Sequence, residues 1–151
     1  GTFLVLYAGG VAEVESSQAA VAEQFSESIR ADILLPMVHP DLVSGLRGRE
    51  DRDEPEAIGV VEGKNVAHTL VAADRSLKDA EVRLVGIRVA VGLGGRAFYV
   101  VRGALHDVEA SVAVGQAVLE NAECLHRIEI IARPHREMVP WLLRPAPFSI
   151  G

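Results

Sequence analysis

The residues with chemistry to offer are five histidines, one cysteine, a glycine-rich loop and a few basic side chains. His39, His68, His106, His126 and His135 are scattered along the chain. No two of them sit at i, i+4 on one helix around a carboxylate, and Cys124 has no second cysteine to pair with. The spacings that hold zinc are therefore missing, and no metal and no cofactor are expected within one chain. Symmetry could still bring three copies of one histidine together. Cys124 stands two residues before His126, as a nucleophile and its base might be spaced. A thiol at a helix end also reads as a small, half-buried hydrophobe, and that reading is adopted here. No catalytic residues are assigned, because no acid–base or nucleophile constellation meets the geometric requirements of an enzyme site.

The run "GLGG", Gly92, Leu93, Gly94 and Gly95, is a second place to look. A phosphate cradle precedes a helix, whose N-terminus supplies the anion site. This run joins two strands and first reads as a turn that needs positive φ. Its sparse side chains also leave backbone N–H groups exposed. At the axis of a symmetric assembly they would favour small anions, and Arg96 beside them would strengthen that preference. Lys78 closes a helix, and Arg133 stands before Pro134 and His135 at a strand end. Read alone, each is a solvated surface charge.

The elements that carry these residues follow from periodicity. Residues 1–8 read as a strand, 11–28 as a helix, 33–35 as a strand and 41–46 as a helical turn. Residues 47–56, "RGREDRDEPE", are charged and lack apolar side chains, so they read as a linker. A strand follows at 57–62, and Asn65 is placed to cap a helix over 66–79. Residues 82–91 and 97–102 form a hairpin around the glycine loop. A helix over 107–121, a strand over 127–132 and a short helix over 136–143 complete the order. That order, βαββαβ plus a short helix, is an α/β (α+β) fold with two helices on one face of an antiparallel, ferredoxin-like sheet.

The chain also repeats itself. "FLVLYAGGVAEVESSQAAVAEQF" from Phe3 falls on "AFYVVRGALHDVEASVAVGQAVL" from Ala97. Gly9 then matches Gly103, Val14 matches Val108 and Ser17 matches Ser111. After a two-residue slip, "LLPMVHPDLV" from Leu34 falls on "IIARPHREMV" from Ile130, with His39 on His135. Residues 57–95 have no counterpart in the first copy. The chain thus reads as one and a half copies of one small domain. Residues 1–46 are the second half of a first domain, 47–56 the linker, 57–143 a complete second domain and 144–151 a tail.

Composition narrows the classes. The net charge of −6 argues against nucleic acid. No apolar run reaches the roughly 20 residues that a membrane helix requires. A single cysteine excludes an internal disulfide and suits a reducing, cytoplasmic compartment.

The stretch from Ala57 to His135 resembles the shell proteins of bacterial microcompartments. The resemblance rests on "GVVEGKN", "AADRSLKDAEV", "VRGALHDVEASVAVG" and "ARPH", and the first copy resembles the second half of another such domain. It implies the tandem-domain class of shell protein: trimers whose six domains mimic a hexamer, packed edge to edge around enzymes, with a central pore for small metabolites. It implies that Gly92, Leu93, Gly94, Gly95, Arg96 and Gly1 line the pore. It places Lys78, Arg133, Pro134, His135 and Asp74 at tile edges. Met37 and Val38 stand where Arg133 and Pro134 stand in the second copy, so the two edges should choose different neighbours. Some tandem shell proteins hold an iron–sulfur cluster in the pore through cysteine; no cysteine lies near this loop, so none is expected. The implied partners are two further copies of the chain, other shell proteins, and a segment of roughly 40 residues completing the first domain, since Gly1 falls where Gly95 falls. The competing reading is a trimeric ferredoxin-like sensor that binds a metabolite between subunits.

Overall fold

The structure, a computed structural model, describes residues 3–48, 53–89 and 94–142. Two helices come first, α1 (Val11–Phe25) and α2 (Pro40–Leu46), with a 3-10 turn at Ser26–Ser28 between them. Then follow β1 (Ala57–Gly63), α3 (Val66–Asp79), β2 (Arg83–Val89), β3 (Ala97–Gly103), α4 (Leu105–Asn121), β4 (Leu125–Ala132) and α5 (Val139–Leu142). The four strands form one antiparallel sheet in the order β2-β3-β1-β4. The expected α/β class and the helices on an antiparallel sheet are what the structure has.

β1 is the strand around which the domain is organised. It pairs with β3 from Ala57↔Gly103 to Gly63↔Ala97, and with β4 from Ala57↔Ala132 to Gly63↔Leu125. Its side chains Ala57, Ile58 and Val61 are wholly buried, in keeping with its central place between β3 and β4. α3 and α4 lie on one face, where Leu70, Leu77, Val108, Val112 and Leu119 join Val61, Tyr99 and Val101 in the core. Gly59 lets α4 come close, because a Cβ there would lie 2.5 Å from Val112 Cγ2. The helix-free face carries a second cluster of Ile58, Val85 and Val100.

A polar knot is sealed between the helices and β3. Ser76 Oγ lies 2.7 Å from the Tyr99 hydroxyl and donates to the Ser111 carbonyl at 2.8 Å. Burial pushes the Tyr99 hydroxyl well above its usual titration range, partly offset by the Ser76 hydrogen bond. The N-terminus of α3 is capped as its sequence implies, with Asn65 Oδ1 accepting from the His68 amide at 2.9 Å.

Two expectations are corrected. Residues 3–8 and 33–35 are not strands. Their counterparts, β3 and β4, are held by a common neighbour, β1, and among the described residues no strand pairs with residues 3–8 or 33–35. A strand without a ladder partner has nothing to satisfy its backbone, so these segments stay extended and irregular. Several bounds also shift: α1 stops at Phe25, α4 starts at Leu105 and α5 covers only Val139–Leu142. Of the linker, described residues Asp53 and Glu56 are tied down. Asp53 Oδ2 accepts from Arg102 Nη2 at 2.7 Å, and the Glu56 carbonyl from the Arg133 amide at 2.8 Å.

Candidate assembly edge and glycine loop

α2 packs against β2 and α3 of the sheet domain. Pro40 opens it, where a missing N–H costs nothing. Leu42 is fully buried, and a Cβ on Gly45 would collide with Leu84 of β2. Asp41 Oδ2 lies 3.0 Å from Arg83 Nε at the start of β2. Just ahead of α2, the His39 amide donates to Asp74 Oδ1 of α3 at 2.7 Å. Residues 39–46 are thereby fastened to β2 and α3.

Asp74 is only 3% exposed and spends both oxygens. Oδ1 takes the His39 amide, and Oδ2 takes Lys78 Nζ at 2.5 Å, one helical turn on. A buried carboxylate needs such partners. The arrangement aims Lys78, whose side chain keeps 32% of its surface exposed at the end of α3. The Asp74 carboxylate is thus buried beneath Lys78, joined to it and to the His39 amide. Arg133 and His135 are exposed at the end of β4, with Pro134 half-buried between them. Arg133 has a left-handed backbone (φ 50°), as does Met37 (φ 52°) at the matching place in the first copy. His135 Nδ1 accepts from the Glu137 amide at 3.4 Å, and His39 Nδ1 from the Asp41 amide at 3.2 Å.

At the loop end of the sheet, Gly94 and Gly95 have φ of 63° and 90°, the positive values that only glycine adopts without strain. Gly92, Leu93 and Gly1 lie outside the described residues. Arg96 follows the turn, and its Nη1 lies 3.1 Å from Glu62 Oε1 and 2.6 Å from His126 Nε2. A guanidinium only donates, so in this contact His126 Nε2 is the acceptor. The sequence does not single out Glu62, and it sets His126 beside Cys124 rather than Arg96, because the two lie on β1 and β4. Only the register that sets Gly63 opposite both Ala97 and Leu125 brings them beside Arg96.

Cys124 does not face His126. Its Sγ accepts from Asn65 Nδ2 at 3.0 Å and lies 3.7 Å from His68 Nδ1, beside the first turn of α3. It is a buried side chain packed into the main core, as the hydrophobe reading expected. Among the described residues no group of three histidine, cysteine or acidic side chains could hold a metal ion, and no helix is long and apolar enough to cross a membrane.

A four-stranded antiparallel sheet in this order, with two helices on one face and a glycine turn at one end, can be compared with known proteins. The model of the BMC domain matches residues 57–134, just over half of the chain, and the chain belongs to that family. Bacterial microcompartment shell protein PduT of Citrobacter freundii is 31% identical over 138 residues, covering 91% of this chain and 75% of that protein. Carboxysome shell protein CsoS1 of Prochlorococcus marinus is 42% identical over 87 residues, covering 57% of this chain and 82% of that one. The crystal structure of a microcompartment protein from Desulfitobacterium hafniense DCB superposes with a TM-score of 0.80 at 32% identity, over 87% of this chain and 73% of that one.

Proposed function

We propose that this chain is a structural tile of a bacterial microcompartment shell in the cytoplasm, acting by assembly rather than catalysis. Three copies would close into a six-domain pseudohexamer, which packs edge to edge with other shell proteins. Residues 1–46 would be the second half of its first domain. The observation that carries this reading is a difference in burial between two matching segments, residues 36–46 and 132–142. Residues 36–46 are seated on β2 and α3. The matching segment of the complete domain has the same turn at Arg133 and the same histidine bond, yet its described apolar side chains are more exposed. Leu42 is fully buried, whereas Met138, its counterpart, is 42% exposed; Trp141, the counterpart of buried Gly45, is 66% exposed. A contact that joins two different surfaces is heterologous, and repeated copies of it close into a ring or run on as a filament.

In that ring the glycine loop, Gly92 to Gly95 with Arg96 and Gly1, lines a central pore for small metabolites. The pairing of Arg96 with Glu62 tempers its charge, so exposed backbone N–H groups supply most of any preference for anions. Lys78 and Arg133 face neighbouring tiles, with Pro134 and His135 beside them. Native mass spectrometry and electron microscopy of Lys78→Ala test the edge assignment. Trimers should persist while extended sheets disappear. Sheets that form as before would remove Lys78 from the edge.

A further inference from the structure

Three ionisable side chains converge at the loop end of the sheet: Glu62 on β1, Arg96 just before β3 and His126 on β4. Arg96 Nη1 lies 3.1 Å from Glu62 Oε1 and 2.6 Å from His126 Nε2. His126 Nε2 in turn lies 3.8 Å from Glu62 Oε2, the other oxygen of the same carboxylate. The side chain of Glu62 keeps 20% of its surface exposed, Arg96 40% and His126 42%, so water and protons reach all three. The glycine turn beside them is open. At Gly94 and at Gly95 an added Cβ would meet nothing within 4 Å among the described residues, so a small ion can approach the backbone there.

The triangle depends on the charge state of the imidazole. While His126 is neutral, Nε2 offers a lone pair and an Arg96 N–H fills it. One guanidinium and one carboxylate then cancel. A protonated imidazole carries hydrogen on both nitrogens and has no lone pair left to accept with. Two cations would face each other across 2.6 Å, so that contact must open. Glu62 is placed to receive the imidazolium, because a closing of about 1 Å brings Oε2 to the length of a charge-assisted bond. Other charged groups on the packed elements are engaged elsewhere or set apart. Lys64 Nζ, just past β1, donates to the Glu123 carbonyl at 3.1 Å, and the Glu123 side chain lies on an exposed residue ahead of β4. Arg127 of β4 gives its Nε to Glu129 Oε1 at 2.9 Å. Arg88 of β2 stands opposite Phe98 in the register, with Glu62 opposite the same residue from β1.

We propose that Glu62, Arg96 and His126 form a proton-operated charge switch beside the glycine turn. Protonation of His126 breaks its bond with Arg96, draws Glu62 Oε2 to the imidazolium and turns the cluster from neutral to singly positive next to Gly94 and Gly95. The switch is a property of one domain. Its consequence rests on the reading of the loop as a pore lining: entry of small anions is favoured as pH falls, and a divalent oxyanion gains more than a monovalent one, since attraction scales with the product of the charges. In a ring of three copies the same step places three such charges around one axis. His126 is then the residue that sets the charge Arg96 presents, and Glu62 the one that shares it out.

The test follows the full chain, isotope-labelled for NMR, from about pH 8 to about pH 5, the range in which imidazoles change charge. At the upper end His126 Nε2 should give the signal of an unprotonated nitrogen. On acidification the Arg96 Nε and Glu62 Cδ signals should move with the same midpoint as the His126 ring. Sulfate, which keeps both negative charges over this range, is the probe, read at the amides of Gly94 and Gly95. It should bind about threefold to tenfold tighter at the lower end, as one added charge a few ångströms away in watery surroundings would give. By reciprocity, sulfate should move the His126 transition to higher pH. His126→Gln keeps an acceptor for Arg96 and takes up no proton, so its sulfate affinity should stay at the weaker value throughout. Amide exchange of β1 and β3, equal in the two proteins, checks the fold. Separate midpoints for His126 and Arg96 would overturn the switch. So would a His126→Gln protein whose sulfate affinity rises on acidification as the parent's does. A trimer in native mass spectrometry with no shared midpoint would overturn the switch and leave the pore reading standing. A shared midpoint with pH-dependent sulfate binding in a chain that forms no trimer would uphold the switch and overturn the ring.

Discussion

Replacing Gly115 by alanine sets two effects of opposite sign against each other. In the middle of a helix, alanine is favoured over glycine by about 1 kcal/mol. Gly115, however, sits in α4 against the sealed Tyr99–Ser76–Ser111 knot. A methyl group there would collide with the Tyr99 hydroxyl and lie 2.9 Å from Ser76 Oγ. Tyr99 is fully buried and cannot swing into water. Displacing its hydroxyl costs about 1 kcal/mol for the bond to Ser76 and up to about 2 kcal/mol more if the O–H is left unsatisfied. Overpacking adds about 1–3 kcal/mol. The clash therefore wins, with a net loss of about 2–3 kcal/mol. The assay is urea unfolding at neutral pH, where a slope of about 2 kcal/mol/M turns that loss into a midpoint lower by about 1 M. Tyr99→Phe alone should cost about 1 kcal/mol, because Ser76 keeps its bond to the Ser111 carbonyl. In the Gly115→Ala background the same change should cost nothing or restore stability, since it removes the colliding atom. The coupling between the two should exceed about 1 kcal/mol. A Gly115→Ala protein as stable as its parent, or more so, would refute this account of the packing.

Two further expectations concern the same domain. Asn65→Ala should lower stability by about 1–2 kcal/mol in urea unfolding, because it removes both the α3 cap and the donor to Cys124; Asn65→Asp should recover most of the loss by keeping the cap. The second is a pH dependence. Tyr99 stays protonated in the fold at pH values where the unfolded chain's tyrosine, at its ordinary value of 10.0, has ionised. The unfolded state then binds fewer protons. Its contribution is flat below about pH 10, and stability falls above it by up to about 1.4 kcal/mol per pH unit. Tyr99→Phe should remove that part of the fall, which alkaline unfolding curves of the two proteins would measure.

The complete domain was largely legible in the sequence because its signals are local. The apolar spacing of Leu70, Val71 and Leu77 marks α3, Asn65 marks its start, and the glycines after residue 91 mark a turn, whatever the rest of the chain does. Lys78 and Arg133 were singled out by the resemblance carried by "AADRSLKDAEV" and "ARPH"; by spacing alone each reads as a solvated surface charge. Tertiary structure decided what depends on a neighbour. Residues 3–8 have the composition of β3 yet form no strand, since a strand's backbone is satisfied only by another strand. Arg96 looked like a free charge beside the loop until the register of β1 and β4 brought Glu62 and His126 to it. Cys124 stands two residues from His126 in the chain, but His126 pairs with Arg96 while the start of α3 brings His68 and Asn65 to the sulfur. Sequence alone determines what each residue can do within a few bonds of itself. Which charges are answered, and which surfaces stay bare, is set by segments far apart in the chain, and only folding brings those together.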